Sequence, residues 1–551
     1  MSHVTVYKAR KVITMDAGRP VTQAVAVMDG RVLSTGTVES MRPWLDRHPY
    51  TIDETFANHV IVPGLIDPHT HFLNSAGFLA LHYIGPIESP GPHGINPPLT
   101  TREAVIAKMK SIDASEPDPK TPMLVWGLDP AAQGGHLHRD ELDGISKVRP
   151  IFVISYAPHF SYLNSAALEY SKVPDDTNVH GVRRYPDGRL NGQFVELEAN
   201  RVSLGSMRSV IANLSGAEGI RRMGRVAHAA GVTTTAEMLF GRSGFESEWK
   251  LHAEAVDDDF PLRMALVPLE FALHGKHGDG TADFLQSAMS RNTDKLFLHG
   301  VKFLSDGSYP AMSSRVTFPG YIDGTNGIRN DVPWDQLHER MLQFWKKGIQ
   351  IHCHANGDEA IDASLDALER LQRLHPSFDH RFTIEHYCIS RPDQARRLKA
   401  LGGLASVNNY FVHYRSQLHS REGFGPDRSE AVARLGSLER EGVIFALHSD
   451  YSLVLVPLHP LTAAWAAVNR VALDGKTVQA PDERISVERA MRAITIDAAH
   501  VLGLDRKLGS IETGKFADFT ILEQDPFDIE PMAIKDIPIW GTVLGGRLQP
   551  R

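Results

Sequence analysis

The sequence predicts an α/β fold, and in particular a (β/α)8 TIM barrel with a large insertion after its first strand. Short apolar runs alternate with amphipathic helical stretches, which is typical of βα units and a parallel sheet. Several of the runs end on histidine, lysine or aspartate. Active-site residues of such barrels lie at the carboxyl ends of the strands, so these polar residues predict a catalytic centre.

The first predicted barrel strand is the apolar, β-branched run Val60–Ile66, and it leads into His69 and His71. Residues two apart in a strand share one face, so both imidazoles are expected on the same side. Two converging neutral imidazoles can bind zinc or a similar ion. Two surface or loop histidines would give the same three-residue motif. The metal-site prediction therefore depends on ligands at later strands.

Four later strand-like runs carry such residues. They are Gly300–Gly307 with Lys302, Ile349–Asp358 with His354, Phe382–His386 with His386, and Val443–Asp450 with Asp450. Helical stretches are predicted over Trp334–Lys347, Asp358–Leu374 and Arg391–Leu401. Counting back from Asp450 makes Leu404–Asn408 strand seven, Arg263–Pro268 strand three and Val232–Met238 strand two. Residues from about 78 to 225 then form an insertion, where substrate specificity is expected to reside.

The set His69, His71, Lys302, His354, His386 and Asp450 resembles the metal centre of the amidohydrolase superfamily. The phrases Pro63–His71, Val301–Ser308, His352–Ala360, Ile384–His386 and Gly509–Phe519 resemble its amidohydrolase-3 branch of N-substituted formamide deformylase-like hydrolases. The resemblance implies that the strand-like runs at both termini pair into a small β-sandwich. The predicted organisation is residues 1–60 and 506–551 for the sandwich and 61–505 for the hydrolase barrel with its insertion.

The resemblance also implies one or two divalent ions, with zinc as the expected metal. His69, His71 and Asp450 would hold the first ion, and His354 and His386 the second. An ammonium cannot donate to a metal. The resemblance implies that Lys302 is N-carboxylated and forms a bridge between the ions. Burial in an apolar strand favours the neutral amine that carboxylation needs. A lysine that only forms an ion pair beside one metal is the alternative.

Two carboxylates add to this picture. Glu196, in the run Asn191–Glu196, resembles a family phrase with a glutamate near the site, so it is an alternative bridging ligand. An exposed glutamate at a helix start would leave the same pattern. Asp450 is predicted to contact metal and to be the general base, taking a proton from the attacking water and passing it to the leaving amine.

Other residues around the strand ends are assigned by strand alternation. His352 and His448 share the inward face of their strands one layer deeper and are predicted to pack in the core or to support the ligands, with direct binding of a metal as the alternative. Glu385, next to His386, is predicted to point outward toward a helix. Weaker candidates for contact with the substrate are Trp126, His159, Tyr162, Asn408 and Tyr410, for each of which packing is the alternative.

Composition excludes several other classes. The chain has 551 residues, a net charge of −8 and no cluster of basic residues, so nucleic acid is not an expected partner. No apolar segment is long enough to span a membrane without interruption by charged residues or histidine, and no signal peptide is evident. The two cysteines, Cys353 and Cys388, do not form a disulfide framework and indicate a reducing cytoplasm. A homo-oligomer, in particular a dimer, is expected.

The sequence thus predicts a metal-dependent amidohydrolase, with water made nucleophilic by the metal and directed at the carbonyl of an amide-like C–N bond. N-substituted formamides and N-acyl amines are the leading substrates. The same centre could open a cyclic imide or a lactone, or deaminate or decarboxylate an aromatic substrate, because fold and metal do not choose between these. A non-catalytic scaffold is disfavoured, since all six expected positions are filled.

Overall fold

The structure is a computed structural model that describes residues 2–91, 94–156, 160–330, 332–452, 454 and 456–550, and it leaves out the side chains at 196–198, 208, 209 and 212. The chain forms two compact units. The first comprises Met1–Thr70, Gly224–Asp450 and Leu458–Arg551, and the second comprises His71–Met223 and Tyr451–Pro457. The helix Ala217–Ala229 contains the boundary between them.

The two ends of the chain join in one sheet of the first unit. In spatial order its strands are Arg547–Pro550, Ile539–Leu544, Phe519–Leu522, Tyr50–Pro63, Val4–Ile13, Val21–Met28 and Arg31–Gly36. Phe519–Leu522 pairs antiparallel with Tyr50–Pro63, which brings C-terminal and N-terminal segments side by side. Alternate apolar side chains such as Val25, Phe56 and Ile521 form a buried core. The two-layer sandwich stays a prediction.

Among the described residues, the first unit also contains the parallel strands predicted from the sequence. They are β1 (Leu65–Thr70), β2 (Val232–Phe240), β3 (Arg263–Pro268), β4 (Val301–Leu304), β5 (Ile351–Ala355), β6 (Thr383–His386), β7 (Leu404–Val407) and β8 (Phe445–Leu447). Hydrogen-bonded ladders join β1 to β3 in one parallel sheet, with Leu296–Leu298 beside β3, and β4 to β8 in another.

Contacts after β3 and after β8 connect these parallel sheets. A parallel bridge joins Leu269, after β3, to Lys302 of β4. At the other end, the Asp450 N–H donates to the His69 carbonyl at 3.0 Å, which links the segment after β8 to β1. Apolar side chains of β1, β2, β3, β7 and β8 share one buried cluster. The fold is therefore mixed α/β with parallel sheets, and the strand order places the carboxyl ends of β1 and β8 together.

Helices separate the strands of the first unit. They are Val38–Leu45, Phe245–Ala255, Glu270–His277, Thr281–Ala288, Leu337–Lys346, Asp358–Leu374, Pro392–Ala400, Tyr410–Tyr414, Ser416–Glu422, Pro426–Glu430, Leu435–Arg440, Pro460–Asn469, Val487–Ala493 and Ile496–Val501. The helix Asp358–Leu374 has the predicted bounds. It buries Ile361, Leu365 and Leu368 at helical spacing and begins with two acidic residues, which suits the positive end of its dipole.

The second unit is built around a six-stranded sheet. Its order is Val182–Arg184, Leu190–Val195, Phe160–Leu163, Ile151–Ser155, Met123–Leu128 and His82–Tyr83, and a separate antiparallel pair is formed by Ser89–Gly91 and Gly94–Asn96. Its helices are Phe72–Phe78, Arg102–Ser115, Arg139–Asp143, Ser165–Tyr170, Glu196–Leu204 and Arg208–Leu214. Val105 and Met109 pack on Val125 and Val153 of the sheet.

Short 3-10 helices complete the structure at Gly205–Met207, Gly278–Gly280, Met289–Arg291, Trp334–Gln336, Pro481–Glu483 and Pro531–Asp536. Within the described part of the chain, no helix combines the length and the apolar composition that crossing a bilayer requires.

Candidate active site

Five of the six predicted ligand positions lie in the first unit, and its strands bring them together. His69 lies near the carboxyl end of β1, and its Nε2 is 3.4 Å from Lys302 Nζ of β4 and 3.5 Å from Asp450 Oδ1. Asp450 Oδ2 lies 3.7 Å from His386 Nδ1. The rings of His386 and His354 are 4.5 Å apart between centroids. The Asp450 carboxylate therefore stands between His69 and His386.

Left-handed backbone conformations direct two of these side chains. His386 has φ +74° and Asp450 has φ +57°, a region that residues other than glycine seldom occupy. Such conformations persist only where surrounding contacts impose them, and they cluster at functional sites. His386 is the last residue of β6, and Asp450 lies three residues after β8. At both positions the left-handed backbone redirects the side chain, because the regular alternation of the strand no longer applies there.

His71 lies one residue beyond β1 and is the first residue of the second unit. It is buried, and its carbonyl accepts a hydrogen bond from Ser75 Oγ in the following helix. Its own N–H donates to the Tyr451 carbonyl at 2.7 Å. These backbone bonds hold His71 at the start of the helix Phe72–Phe78.

Lys302 is 1% exposed, and burial is the largest influence on the pKa of its ammonium group. Burial lowers the pKa of Lys302, while attraction to Glu385 and Asp450 acts in the opposite direction. A lysine in this environment has an increased fraction of neutral amine. That is the form from which a metal-binding carbamate would be made.

Glu385 corrects one prediction, because its side chain points inward and not toward a helix. It is fully buried, and its two oxygens lie 2.6 Å from His69 Nδ1 and 2.7 Å from His352 Nδ1. Burial alone would raise the pKa of Glu385, but Lys302 and the hydrogen bond from His352 outweigh it and hold the pKa at about 2. The prediction was wrong because it assumed that His386 follows the regular alternation of β6.

His448 supports His386 from the layer below. Its Nδ1 lies 2.7 Å from Ser406 Oγ, and its Nε2 lies 3.2 Å from His386 Nδ1. One ring nitrogen of His448 thus faces a hydroxyl and the other faces a proposed ligand. The supporting role of His448 stays a prediction.

Asp306 is a second residue that the sequence reasoning missed. It is buried directly after β4, and its carboxylate accepts hydrogen bonds from the N–H groups of Asn356, Gly357 and Arg315 at 2.9–3.0 Å. Burial raises the pKa of Asp306 to about 7, although these N–H donors oppose the rise. Asp306 fixes the loop after β5, in which Asn356 Nδ2 lies 3.0 Å from His354 Nε2.

A common signal could have revealed both missed residues. Asp306 ends a strand in the same way as Asp450, and Glu385 interrupts an apolar run in the same way as Lys302. A charged residue in such a run must either face partners that compensate its burial or shift its pKa.

The donor set fits a metal ion. One ring nitrogen from each of His69, His386 and His448 lies within 4.8 Å of the others, and all three residues are buried, so the geometry allows His448 either to bind a metal or to support His386. Burial holds the pKa of His354 at about 4 and that of His386 well below its ordinary value, so both imidazoles are neutral near pH 7. Neutral imidazoles and a carboxylate are ligands that zinc and related divalent ions accept.

The weaker candidates for substrate contact are held by local interactions. In the first unit, Asn408 Nδ2 donates to the Ser449 carbonyl at 2.9 Å, and Tyr410 donates its hydroxyl to the His459 carbonyl at 2.7 Å. In the second unit, Trp126 stacks on Phe78 with centroids 5.3 Å apart, and the Tyr162 hydroxyl lies 2.8 Å from His136 Nδ1.

Two further candidates, His159 and the side chain of Glu196, lie outside the described residues. Glu196 itself is the first residue of the helix Glu196–Leu204. Their predicted roles, in the substrate pocket and as a bridging ligand, stay predictions.

Comparison with known proteins identifies the class. The sequence profile of the amidohydrolase family matches residues 57–549, so the chain belongs to that family. The enzyme class predicted from the sequence, a metal-dependent hydrolase acting on carbon–nitrogen bonds, is thereby confirmed. The predicted resemblance to the formamide deformylase-like branch is confirmed as well.

Particular relatives match along nearly their whole length. The N-substituted formamide deformylase of Arthrobacter pascens is 25% identical over 97% of this chain and 96% of its own. Protein LONG AFTER FAR-RED 3 of Arabidopsis thaliana is 27% identical over 97% of this chain and 90% of its own. An uncharacterized metal-dependent hydrolase of Pyrococcus horikoshii shares the fold, with a TM-score of 0.73 at 20% identity over 96% of this chain and 99% of that one.

Proposed function

We propose that this protein hydrolyses an amide-like C–N bond of a small molecule, with an N-substituted formamide or an N-acyl amine as the substrate. The observation that carries the proposal is the buried Asp450 carboxylate between His69 Nε2 and His386 Nδ1, at 3.5 and 3.7 Å. A carboxylate in this position can contact a cation and a water molecule at once. The deformylase of Arthrobacter pascens supports the choice of substrate class.

In this proposal the ligands are those of the sequence prediction. His69, His71 and Asp450 hold one divalent ion, and His354 and His386 hold a second. Lys302, N-carboxylated, or Glu196 supplies the bridging ligand. When bound, zinc or a related ion lowers the pKa of a water molecule and polarises the carbonyl under attack.

The residues of the chain carry out the remaining tasks. Asp450 acts as the general base and accepts a proton from the attacking water. It then delivers this proton to the departing nitrogen, because an amine that left without it would be a strongly basic anion. The neutral imidazoles of His354, which is partly buried, and of His386, which is buried, keep their lone pairs available. Burial of Lys302 and Glu385 beneath them strengthens every charge interaction in the centre, because little water is present to screen it.

We propose that these residues stand at the carboxyl ends of the strands of a (β/α)8 barrel, with the insertion after the first strand supplying substrate contacts. Substrate preference should change on substitution of the candidates for substrate contact, which are Trp126, His159, Tyr162, Asn408 and Tyr410. A dimer in a reducing cytoplasm remains the expected state of the enzyme.

The test is metal analysis of the purified protein combined with a panel of formamides, N-acyl amines, cyclic imides and lactones. We expect one or two divalent ions per chain and the fastest turnover on a formamide or an N-acyl amine. Removal of the metal by a chelator should abolish turnover, and addition of zinc should restore it.

Circular dichroism before and after chelation is the control, since an unfolded apoprotein would also be inactive. Activity that survives complete metal removal from a folded protein would contradict the proposal. Turnover of only the cyclic substrates would replace the substrate class while keeping the metal-dependent mechanism.

A further inference from the structure

Glu385 is a buried carboxylate that contacts side chains of the candidate active site. It is 0% exposed, and so are the side chains of His69 and His352. Its Oε2 lies 2.6 Å from His69 Nδ1, and its Oε1 lies 2.7 Å from His352 Nδ1. A carboxylate at this depth is costly unless its partners compensate it, so its retention requires an explanation beyond packing.

The two short contacts determine which nitrogen of each ring carries a proton. A carboxylate offers only acceptors, so both Nδ1 atoms must donate. A neutral imidazole that donates from Nδ1 has its lone pair on Nε2. For His69 this is the nitrogen that faces Lys302 Nζ at 3.4 Å and Asp450 Oδ1 at 3.5 Å.

We infer that Glu385 is a positioning residue, which locks His69 in the Nδ1–H tautomer and aims its Nε2 at the metal. His352 holds the second carboxylate oxygen and thereby fixes the rotation of the Glu385 side chain. Histidine ligands that donate their other N–H to a carboxylate are oriented and made more basic in this way. The inference rests on the proposed role of His69 as a ligand.

Replacement of Glu385 by glutamine keeps the size of the side chain and changes its hydrogen-bonding groups. Its amide has one acceptor oxygen and one donor group, so it can satisfy the N–H of only one of the two imidazoles. The other imidazole then meets a donor and must change tautomer or turn away. Loss of such a partner typically lowers metal affinity about 10- to 100-fold.

The experiment compares E385Q with H352Q, which changes the contact of the other carboxylate oxygen and leaves the contact to His69 in place. Zinc dissociation constants are measured by competition with a chelating dye on the folded apoproteins, and the Co2+-substituted proteins are compared by their visible absorption spectra. We expect about a 10- to 100-fold weaker zinc affinity and an altered cobalt spectrum for E385Q. For H352Q we expect a markedly smaller loss and a spectrum close to that of the wild type.

Unchanged zinc affinity and cobalt spectrum in both folded E385Q and folded E385D would overturn the inference, because a glutamine can still turn its amide oxygen to His69 whereas an aspartate cannot reach it. An equal loss in H352Q would overturn it as well. If E385Q does not fold, E385D carries the test, because it keeps the charge but withdraws the carboxylate by one methylene. E385D should then bind zinc more weakly than the wild type, and equal affinity would overturn the inference. A wild-type protein that binds no divalent ion would contradict the proposed function itself, which makes the two failures distinguishable.

Discussion

Two buried charges in the first unit, Glu385 and Arg470, are compensated in opposite ways. The Arg470 guanidinium is 0% exposed and donates to the backbone carbonyls of Gln479, Ala433, Glu430 and Val432 at 2.7–2.9 Å. Glu385 is compensated by titratable side chains, which are the Lys302 ammonium and the imidazoles of His69 and His352. A charge bound to backbone ties chain segments together, whereas a charge bound to imidazoles controls where protons and lone pairs lie.

This difference distinguishes a structural charge from one that serves a reaction. Both residues are unusual, because ionised side chains are seldom fully buried. Burial alone therefore does not mark the functional site. The chemical type of the partners does, since carbonyl oxygens have no alternative protonation state near neutral pH and imidazoles do.

The largest expected effect belongs to the network of titratable groups. We expect D450N to lower turnover by about 10²- to 10⁴-fold, because an amide cannot accept the proton that the general base must take. The measurement is steady-state kinetics on the best substrate of the panel, with metal content determined on the same samples. D450N should keep most of its metal, and a variant that retains wild-type turnover would show that another residue is the base.

The next effect belongs to the structural charge. We expect R470M to lower the free energy of unfolding by at least about 3 kcal/mol, because the carbonyls of Gln479, Glu430 and Val432 each lose a donor at a cost of about 1–3 kcal/mol. Urea unfolding of the chelated apoprotein measures this loss. R470K is the matched control, since it keeps the charge but lacks the planar fork that reaches several carbonyls.

The comparison between the two charges also predicts that R470M leaves the zinc dissociation constant unchanged in the protein that remains folded. Weaker zinc binding at unchanged stability would mean that Arg470 takes part in the metal centre. The chemical type of a buried charge's hydrogen-bond partners would then not distinguish a structural charge from one that serves the metal centre.

The smallest effect concerns His299, a partly buried histidine that contacts neither Glu385 nor Arg470 in the hydrogen bonds described above. His299 Nε2 lies 3.0 Å from Gln350 Oε1, and burial, assisted by His352, lowers the pKa of His299 to about 3. Because the unfolded state takes up a proton near pH 6.5 and the folded state does not, stability falls as pH drops from about 6.5 toward 3. Between pH 7 and pH 5 the apoprotein should lose about 1–2 kcal/mol more than H299Q, as measured by urea unfolding. Equal losses in both proteins would show that His299 is not protected from protonation.

Much of the site could be predicted because its residues stand in short apolar runs. Lys302, His354 and Asp450 each interrupt or end such a run. Parallel strands have their carboxyl ends at one edge, so these residues are expected to lie close together. The inward direction of Glu385 could not be predicted in this way. Glu385 pairs in register with His354 and keeps the inward face of β6, whereas the left-handed backbone of His386 takes that residue out of the alternation. Local sequence does not reveal where a strand stops being regular.

The sequence by itself determined the family, the parallel α/β architecture and the identity of the candidate ligands, because periodicity and residue type are properties of the chain. The tertiary structure alone decided the partners of those ligands. Glu385 contacts His69 across 316 positions of sequence, and His448 contacts His386 across 62. Such pairings arise only when distant strands pack side by side, and they determine which nitrogen of each imidazole is free to bind a metal.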